Sequence, residues 1–302
     1  MEIQRNDIPT KKAEYIYEPF ADTVEYRTVN DLIVHEWVET MRKKGVRDVG
    51  HLLDVATGVG TMVQLFLENL PKQWKQPLVE CLDKSAEALE QVKSRLGPSL
   101  SGRLRVIHSS AEEIDLPKSS IDVVVWGNGI HYLDAVEQKR ALLAIKRVLK
   151  PGGWFFFNSA FYAESREPET LPFYRAQVRK AVQYLRDLGI TNREREGRPK
   201  AGEFLPKAHY EAMLREAGFS VEDVREVGVR MYRVAWEHIS NFQQYAAGAL
   251  HGYRPDVAAE AMRIAVAQAL EEHGQRDESG KPFVMRKWLA VSARVSSIPQ
   301  PA

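Results

Sequence analysis

The chain has 302 residues, of which 44% are hydrophobic and 27% charged, the make-up of a globular protein rather than a disordered or collagen-like one. Lys and Arg number 42 against 41 Asp and Glu, a net charge of +1, which argues against general attraction to a nucleic-acid backbone. The single cysteine, Cys81, excludes an internal disulfide framework and a cysteine-cluster metal site, and no run approaches the ~18 apolar residues of a membrane span.

The opening MEIQRNDIPTKK has no apolar stretch of the signal-peptide kind, so the expectation is a soluble protein of a reducing, cytoplasmic compartment. Residues 1–45 are charged and aromatic, with Tyr15, Tyr17, Phe20, Tyr26 and Trp37. Asn30 can cap a helix with Leu32, Ile33, Trp37 and Met41 at helical spacing, and the segment reads as an N-terminal helical cap.

From His51 to about Ala160, short apolar runs alternate with helical patterns. The runs are His51–Ala56, Leu78–Leu82, Leu104–His108, Ile121–Trp126 and Trp154–Phe157, short and with little alternation, as parallel strands buried on both faces read. Ser85 can cap a helix carrying Leu89, Val92 and Leu96, stopped by Gly97 and Pro98. Asp134 can cap another through Leu142, Ile145 and Leu149, stopped by Pro151-Gly152-Gly153. The alternation predicts a Rossmann-like, doubly wound α/β sheet with right-handed crossovers.

Beyond Ala160 the rhythm changes. Glu164–Pro206 is helical and charged, with a loop at Asn192–Gly202; His209–Ala217 is a helix closed by Gly218, and Ser220–Val229 a strand. Trp236–Gly274 is helical again, with Asp256 as a cap, and Lys287–Val295 reads as a last strand. Residues 46–302 are therefore expected to form one domain, whose helical insertions at about 161–206 and 233–282 make a cap.

The strongest local signal is HLLDVATGVGTM at His51–Met62. A buried strand ends in Asp54, and the small-residue turn Ala56-Thr57-Gly58-Val59-Gly60 opens a helix, where backbone can approach a ligand and free N–H groups are on offer. The dinucleotide fingerprint fails because Val63 stands at its third position. An acidic strand tip also suits a ligand ammonium better than a phosphate. Asp83, after the second run, can accept ribose hydroxyls or simply cap a helix. Ser110-Ala111-Glu112 and Gly127-Asn128 follow the third and fourth runs, so all four strand ends carry small or polar residues at one sheet edge.

DVATGVG at Asp54–Gly60, CLDKS at Cys81–Ser85, SAEEIDLP at Ser110–Pro117, SSIDVVVWGNGIHYL at Ser119–Leu133 and IKRVLKPGGWFFF at Ile145–Phe157 occur in order. This succession resembles the class I S-adenosylmethionine-dependent methyltransferases, closest to the small-molecule subgroup that includes ubiquinone/menaquinone-biosynthesis C-methyltransferases and natural-product enzymes. The resemblance covers roughly Gly50–Ala160 and, weakly, His209–Val227. It implies a mostly parallel seven-stranded sheet with an antiparallel last strand, and S-adenosylmethionine as cofactor, with S-adenosylhomocysteine as product.

By position, the resemblance puts Asp54, Ala56, Thr57, Gly58 and Gly60 at the methionine and ribose parts. Asp83 and Lys84 fall at the ribose, Ala111 and Glu112 at the adenine, and Gly127-Asn128 at the methionine amine. Ala56 departs from the fuller glycine pattern, with a methyl expected to be mild. Tyr17 and Tyr26, with Tyr15, are candidates to close over the sulfonium, or else pack a helix. His131 is the candidate general base, although a histidine is usual there in the wider family without always being catalytic. Tyr132, Phe161, Tyr162 and Trp236 are the candidate substrate contacts.

GNGIHY lacks the polar-Pro-Pro-aromatic turn of base-amino methylation, and Asn158-Ser159-Ala160-Phe161 lacks the carboxylates of metal-assisted transfer, so no metal and no nucleic acid are expected. The expected partner is an apolar or aromatic small-molecule acceptor, methylated on oxygen, or on carbon or nitrogen as alternatives. A non-catalytic cofactor-binding subunit and a homo-oligomer stay open.

Overall fold

The computed structural model describes residues 17–190 and 204–295; Tyr15 and the loop expected at Asn192–Gly202 lie outside the described residues. The first long helix, α2 (Val24–Lys43), follows a single turn, α1 (Glu18–Ala21). Thr23 caps α2, its hydroxyl accepting from the Tyr26 N–H. The helix thus begins six residues before Asn30, which is no cap: Asn30 is buried mid-helix, while Leu32 points to solvent. The core face is instead Val29, Ile33, Val34, Trp37, Val38 and Met41.

The strands are β1 (His51–Val55), β2 (Leu78–Asp83), β3 (Leu104–His108), β4 (Ile121–Gly127), β5 (Leu149–Ser159), β6 (Phe219–Tyr232), the two-residue β7 (Gln275–Arg276) and β8 (Pro282–Val295). They form one sheet in the order β3-β2-β1-β4-β5-β8-β6, with β7 pairing β8. β1 through β5 pair in parallel, and β8 runs antiparallel to β5 and β6. The expected seven strands and antiparallel last strand are all present; β7 makes an eighth. Strand order reverses at β1, which puts the switch point of the sheet beside the glycine turn.

The helices between strands are α3 (Thr61–Asn69), α4 (Ala86–Leu100) and α5 (Ala135–Val148). Ser85 caps α4, accepting from the Ala88 N–H, and Asp134 forms a full capping box with Glu137 at α5. Two stop signals act elsewhere than expected. Pro98 sits inside the last turn of α4, which ends at Leu100 before a left-handed Ser101. α5 closes at Val148, and Pro151-Gly152-Gly153 lies within β5, where the register to β4 shifts between Ile121 and Val123.

One core fills the face under α2, α3 and α4, and a second fills the face under α5 and α7 (Lys207–Glu216). A third, smaller core joins α6 (Leu171–Asp187), α9 (Gln243–Ala249) and α10 (Pro255–His273), with α8 (Arg233–Asn241) packed against α10. α10 starts with Pro255 at its first position, as a helix start tolerates. Asp256 is therefore not its cap; it stands in the first turn and pairs with Arg254 at 2.6 Å. Among the described residues no helix is long and apolar enough to cross a membrane.

Candidate active site

The turn after β1 is held by short hydrogen bonds. The Thr57 N–H donates to the Leu82 carbonyl at 3.0 Å, and the Gly60 N–H to the Thr57 carbonyl at 2.9 Å. Gly58 and Gly60 take φ of +54° and +81°, and a methyl on Gly60 would meet Leu96 at 3.0 Å, so glycine is required there. Ala56 also lies at positive φ, +50°. Its side chain is more than a mild addition, because a β-carbon in that region carries strain.

Asp83 braces this turn. Its carboxylate accepts from the Gly58 N–H at 2.9 Å and the Ser85 N–H at 2.8 Å. Lone pairs remain for a ligand hydroxyl, and Asp83 lines the groove described below. Asp54 lies beneath the turn, fully buried, and accepts from the Thr57 hydroxyl at 2.6 Å. Burial raises its pKa to about 7; Thr57 opposes the rise, the Asp83 charge adds to it, and the Val63 amide opposes it weakly. Its Oδ1 has no hydrogen-bond partner. Neither Asp54 nor Gly60 borders the three cavities described next; Gly60 shapes the turn, and Asp54 lies directly beneath it.

Three cavities meet at Tyr132. The largest, about 430 Å³, runs along the strand ends past Ala56, Asp83, Lys84, Ala111, Glu112 and Gly129, and is roofed by Phe242, Gln243 and Gln244. A small one of about 50 Å³ lies over the glycine turn, bounded by Tyr17, Tyr26, Ala56, Thr57, Gly58, Gly127 and Phe242. A third, about 340 Å³, is lined by Phe161, Arg166, Tyr174, Gln177, Phe204, Gln244 and Tyr245, with Tyr132 again on its wall. The two large volumes fall in the ~300–1,000 Å³ range of small-ligand pockets.

Tyr17 and Tyr26 border the turn cavity, edge to face with ring centroids 5.9 Å apart, and Phe242 packs on Tyr17 at 5.1 Å. Of the pair Gly127-Asn128, only the glycine borders the turn cavity. The Asn128 N–H is committed to the Asn158 Oδ1 at 2.9 Å, and its own Oδ1 accepts from the Ala160 N–H. Asn158 donates to Asn30 Oδ1 at 2.6 Å, and Asn30 donates to the Tyr26 carbonyl at 2.7 Å. This amide relay ties α2 to the ends of β4 and β5, and explains a polar residue buried in mid-helix.

Three expected roles are corrected. His131 is 3% exposed, lies 4.2 Å from the ring centroids of both Tyr132 and Phe161, and borders none of the three cavities. Burial, helped by the Arg286 charge, lowers its pKa to about 3, so it is neutral at ordinary pH. The Ser159 hydroxyl accepts from the Phe161 N–H and lies 3.2 Å from His131 Nδ1. His131 Nε2 is buried without a partner. That is not a base presented to a ligand. Tyr162 is wholly buried with its hydroxyl donating to Glu226 at 2.7 Å, and Trp236 is buried among Phe173 and Tyr174. Of the four expected substrate contacts, Tyr132 and Phe161 line the third cavity.

Sequence reasoning missed Arg166 and Arg286. Arg286 is 3% exposed and donates to the Tyr174 hydroxyl at 3.0 Å and to the Ala160 carbonyl. A charge in strand β8 carries no sequence mark of burial. Among the described residues no cluster of three or more His, Cys, Asp or Glu is placed to hold a metal ion.

An open α/β sheet with its groove at the carboxyl edge, beside the strand-order switch, defines a Rossmann-like protein that binds a nucleotide-like ligand there. Residues 52–153 match the methyltransferase-domain family. The ubiquinone/menaquinone biosynthesis C-methyltransferase UbiE of Francisella tularensis subsp. novicida is 29% identical over 149 residues, 47% of this chain and 57% of that one. Its counterpart from Ectopseudomonas mendocina is 28% identical over 155 residues, 49% of this chain and 59% of that one. The chain thus spans a little under three fifths of these curated relatives.

Among solved structures, a methyltransferase candidate from Bacillus halodurans C-125 superposes with a TM-score of 0.54 at 14% identity, covering 86% of this chain and 99% of that one. The 4+2 cyclase SpnF superposes with a TM-score of 0.52 at 18% identity, covering 90% and 82%. These two likenesses concern the fold alone. Residues 52–153 thus match a methyltransferase domain, and the chain is similar there to class I S-adenosylmethionine-dependent methyltransferases of the small-molecule type.

The residues present fit that cofactor. A buried carboxylate oxygen without a partner at Asp54 suits a nearby ligand ammonium. Asp83, Ala111 and Glu112 border a groove long enough for an adenosine.

Proposed function

We propose that this chain transfers a methyl group from S-adenosylmethionine to an ionised, phenol-like aromatic small molecule, on its oxygen or on a ring carbon. The observation that carries this reading is the meeting of the strand-edge groove and the aromatic cavity at Tyr132 and Gln244, which line both. Thr57 and Gly58 would hold the methionine end under Tyr17 and Tyr26, Asp83 with Lys84 the ribose, and Ala111 with Glu112 the adenine.

When bound, the cofactor would supply an electrophilic methyl: an oxygen lone pair, or the π pair of a ring carbon that then gives up its ring proton to solvent, would form the new bond while the carbon–sulfur pair returns to sulfur, leaving S-adenosylhomocysteine. The chain's own task is alignment and exclusion of water. Tyr132 stands where the two spaces join and orients the acceptor edge-on to the groove. Phe161, Phe204 and Tyr245 supply flat apolar walls.

No Asp, Glu, His or Lys lines the aromatic cavity among the described residues. The acceptor therefore reacts as an anion or an acidic carbon rather than through a side-chain base, and His131 acts as a neutral packing and positioning residue. The relatives' description as C-methyltransferases favours carbon as a second reading. Homo-oligomers, and the division into an N-terminal cap and one domain with helical insertions, belong to the same proposal.

Calorimetry with S-adenosylhomocysteine, followed by transfer of a radiolabelled methyl into a metabolite extract, tests it. Binding with label in a small aromatic product is expected. Binding without transfer supports a non-catalytic subunit, and no binding removes the reading.

A further inference from the structure

Arg166 stands on the wall of the aromatic cavity, half-buried, with its guanidinium carbon 4.5 Å from the Tyr174 ring centroid and 4.4 Å from that of Phe204. Stacking on two rings restrains the plane of the fork without using any of its N–H donors. Among the described residues the guanidinium has neither a hydrogen-bond nor an ion-pair partner, and its Nε is buried without one. Arginines elsewhere are treated differently: Arg225 is paired with Asp223 and Glu36, and Arg254 with Asp256. A buried N–H donor without an acceptor is costly.

The surroundings carry the same sign. Arg166, Tyr174 and Val178 also border an outer groove of about 420 Å³, where Arg175 and Arg179 stand exposed, with no ion-pair partner among the described residues. Behind Tyr174 lies the buried Arg286. Among the described residues no carboxylate lines either space. A cationic mouth of this kind raises the local concentration of an anionic ligand.

We propose that the acceptor is an aromatic carboxylate, held by Arg166 at the outer wall while its reacting atom lies toward Tyr132 and Gln244. A planar fork matches a carboxylate in two parallel hydrogen bonds, which argues for that group over a phosphate. The position of the reacting atom rests on the methyl-transfer reading; the anion preference of the cavity does not.

The test uses the full chain with and without saturating S-adenosylhomocysteine. Hydroxybenzoate, hydroxycinnamate and hydroxynaphthoate are each compared with the primary amide of the same acid by ligand-observed NMR, with hydroxyphenyl phosphate as a further arm. At least one acid should bind about 10- to 100-fold more tightly than its amide. Arg166→Gln should erase that margin while leaving S-adenosylhomocysteine affinity unchanged, and Arg166→Lys should recover part of it.

Equal binding of acid and amide, no binding by any acid, a margin that survives Arg166→Gln, or preference for the phosphate overturns the proposal. If the acid margin appears but S-adenosylhomocysteine does not bind, the methyl-transfer reading fails and the anion site stands. The reverse result removes the acceptor class alone.

Discussion

The strand-edge groove and the aromatic cavity share Tyr132 as a wall but are built on opposite plans. At the glycine turn, most polar groups are satisfied within the chain: Asp83 accepts from two backbone N–H groups, Asp54 Oδ2 from the Thr57 hydroxyl and Asn128 from the Ala160 N–H, with Asp54 Oδ1 left without a partner. In the aromatic cavity, rings from separate elements surround Arg166, a cation without an acceptor among the described residues. A turn that is braced before any ligand arrives can hold one fixed cofactor at little ordering cost. On the proposal above, a cavity with an open charge gains its missing partner only from the right acceptor, which would place specificity there.

The contrast can be broken most sharply with pH, because Asp54 under the turn and His131, packed behind Tyr132 and Phe161, both have displaced titrations. Asp54 titrates near 7 when folded, against about 3.9 unfolded. Between those values the unfolded chain has lost a proton that the folded chain keeps, so stability falls as pH rises. His131 titrates near 3 when folded, against about 6.5 unfolded. Below that, the unfolded chain gains a proton that the folded chain refuses, so stability falls as pH falls.

From about pH 4 to 6.5 the two slopes, each about 1.4 kcal/mol per pH unit, oppose one another. Asp54→Asn removes one of them. Measured by urea unfolding, its stability relative to the parent should worsen on acidification, by roughly 3 kcal/mol across that window. Parallel profiles would show that Asp54 is ionised in the free protein. A cationic ligand beside Asp54 should also expel its proton, so calorimetry at pH 6 in two buffers should report proton release on binding S-adenosylhomocysteine.

Asp83 comes next in size. Asp83→Ala removes an ionised acceptor from the Gly58 and Ser85 amides, and a charged hydrogen bond contributes about 1.5–3 kcal/mol. Cofactor affinity should fall by that order, as read by calorimetry. To separate bracing from ribose binding, the same titration is run with a deoxyribose analogue of S-adenosylhomocysteine. If Asp83 holds the ribose, the analogue binds more weakly than the parent ligand in the natural chain and equally in the variant. If it only braces the turn, both proteins show the same discrimination.

The same contrast explains what could be read from the sequence. The strand-edge groove is made of local segments: DVATGVG, CLDKS and SAEEIDLP each fold as a strand, a turn and the start of a helix or loop, so neighbouring residues stay neighbours in space. Their places in the sheet followed from short buried runs alternating with capped helices. Helix ends were less legible, because Pro98 and Pro151 act inside a last turn and inside a strand.

The aromatic cavity draws Phe161, Arg166, Tyr174, Gln244 and Tyr245 from segments separated by as much as β6 and α7. No periodicity announces such a convergence. His131 was readable as a position and misread as a chemistry, because its burial by Tyr132 and Phe161 is tertiary. Asn30 looked like a cap since asparagine favours that role, and only its contact with Asn158 shows why it is tolerated inside α2.

The smallest expected effect lies at Ala56, the one residue of the turn that departs from the glycine pattern. At φ +50° its β-carbon costs on the order of 1–2 kcal/mol relative to a right-handed conformation. Ala56→Gly releases that strain, and the added freedom of the unfolded chain returns about 0.4–1 kcal/mol of it. The net gain should lie between about 0 and 1.6 kcal/mol in urea unfolding. Ala56 borders both the turn cavity and the long groove, so loss of its methyl also enlarges the space where the two join. Affinity for S-adenosylhomocysteine should nonetheless hold within about twofold, because the Gly58 amide and its Asp83 brace are untouched. A larger drop in affinity together with a gain in stability would mean that the methyl itself packs against the cofactor, and that the turn is shaped by side chains as well as by backbone.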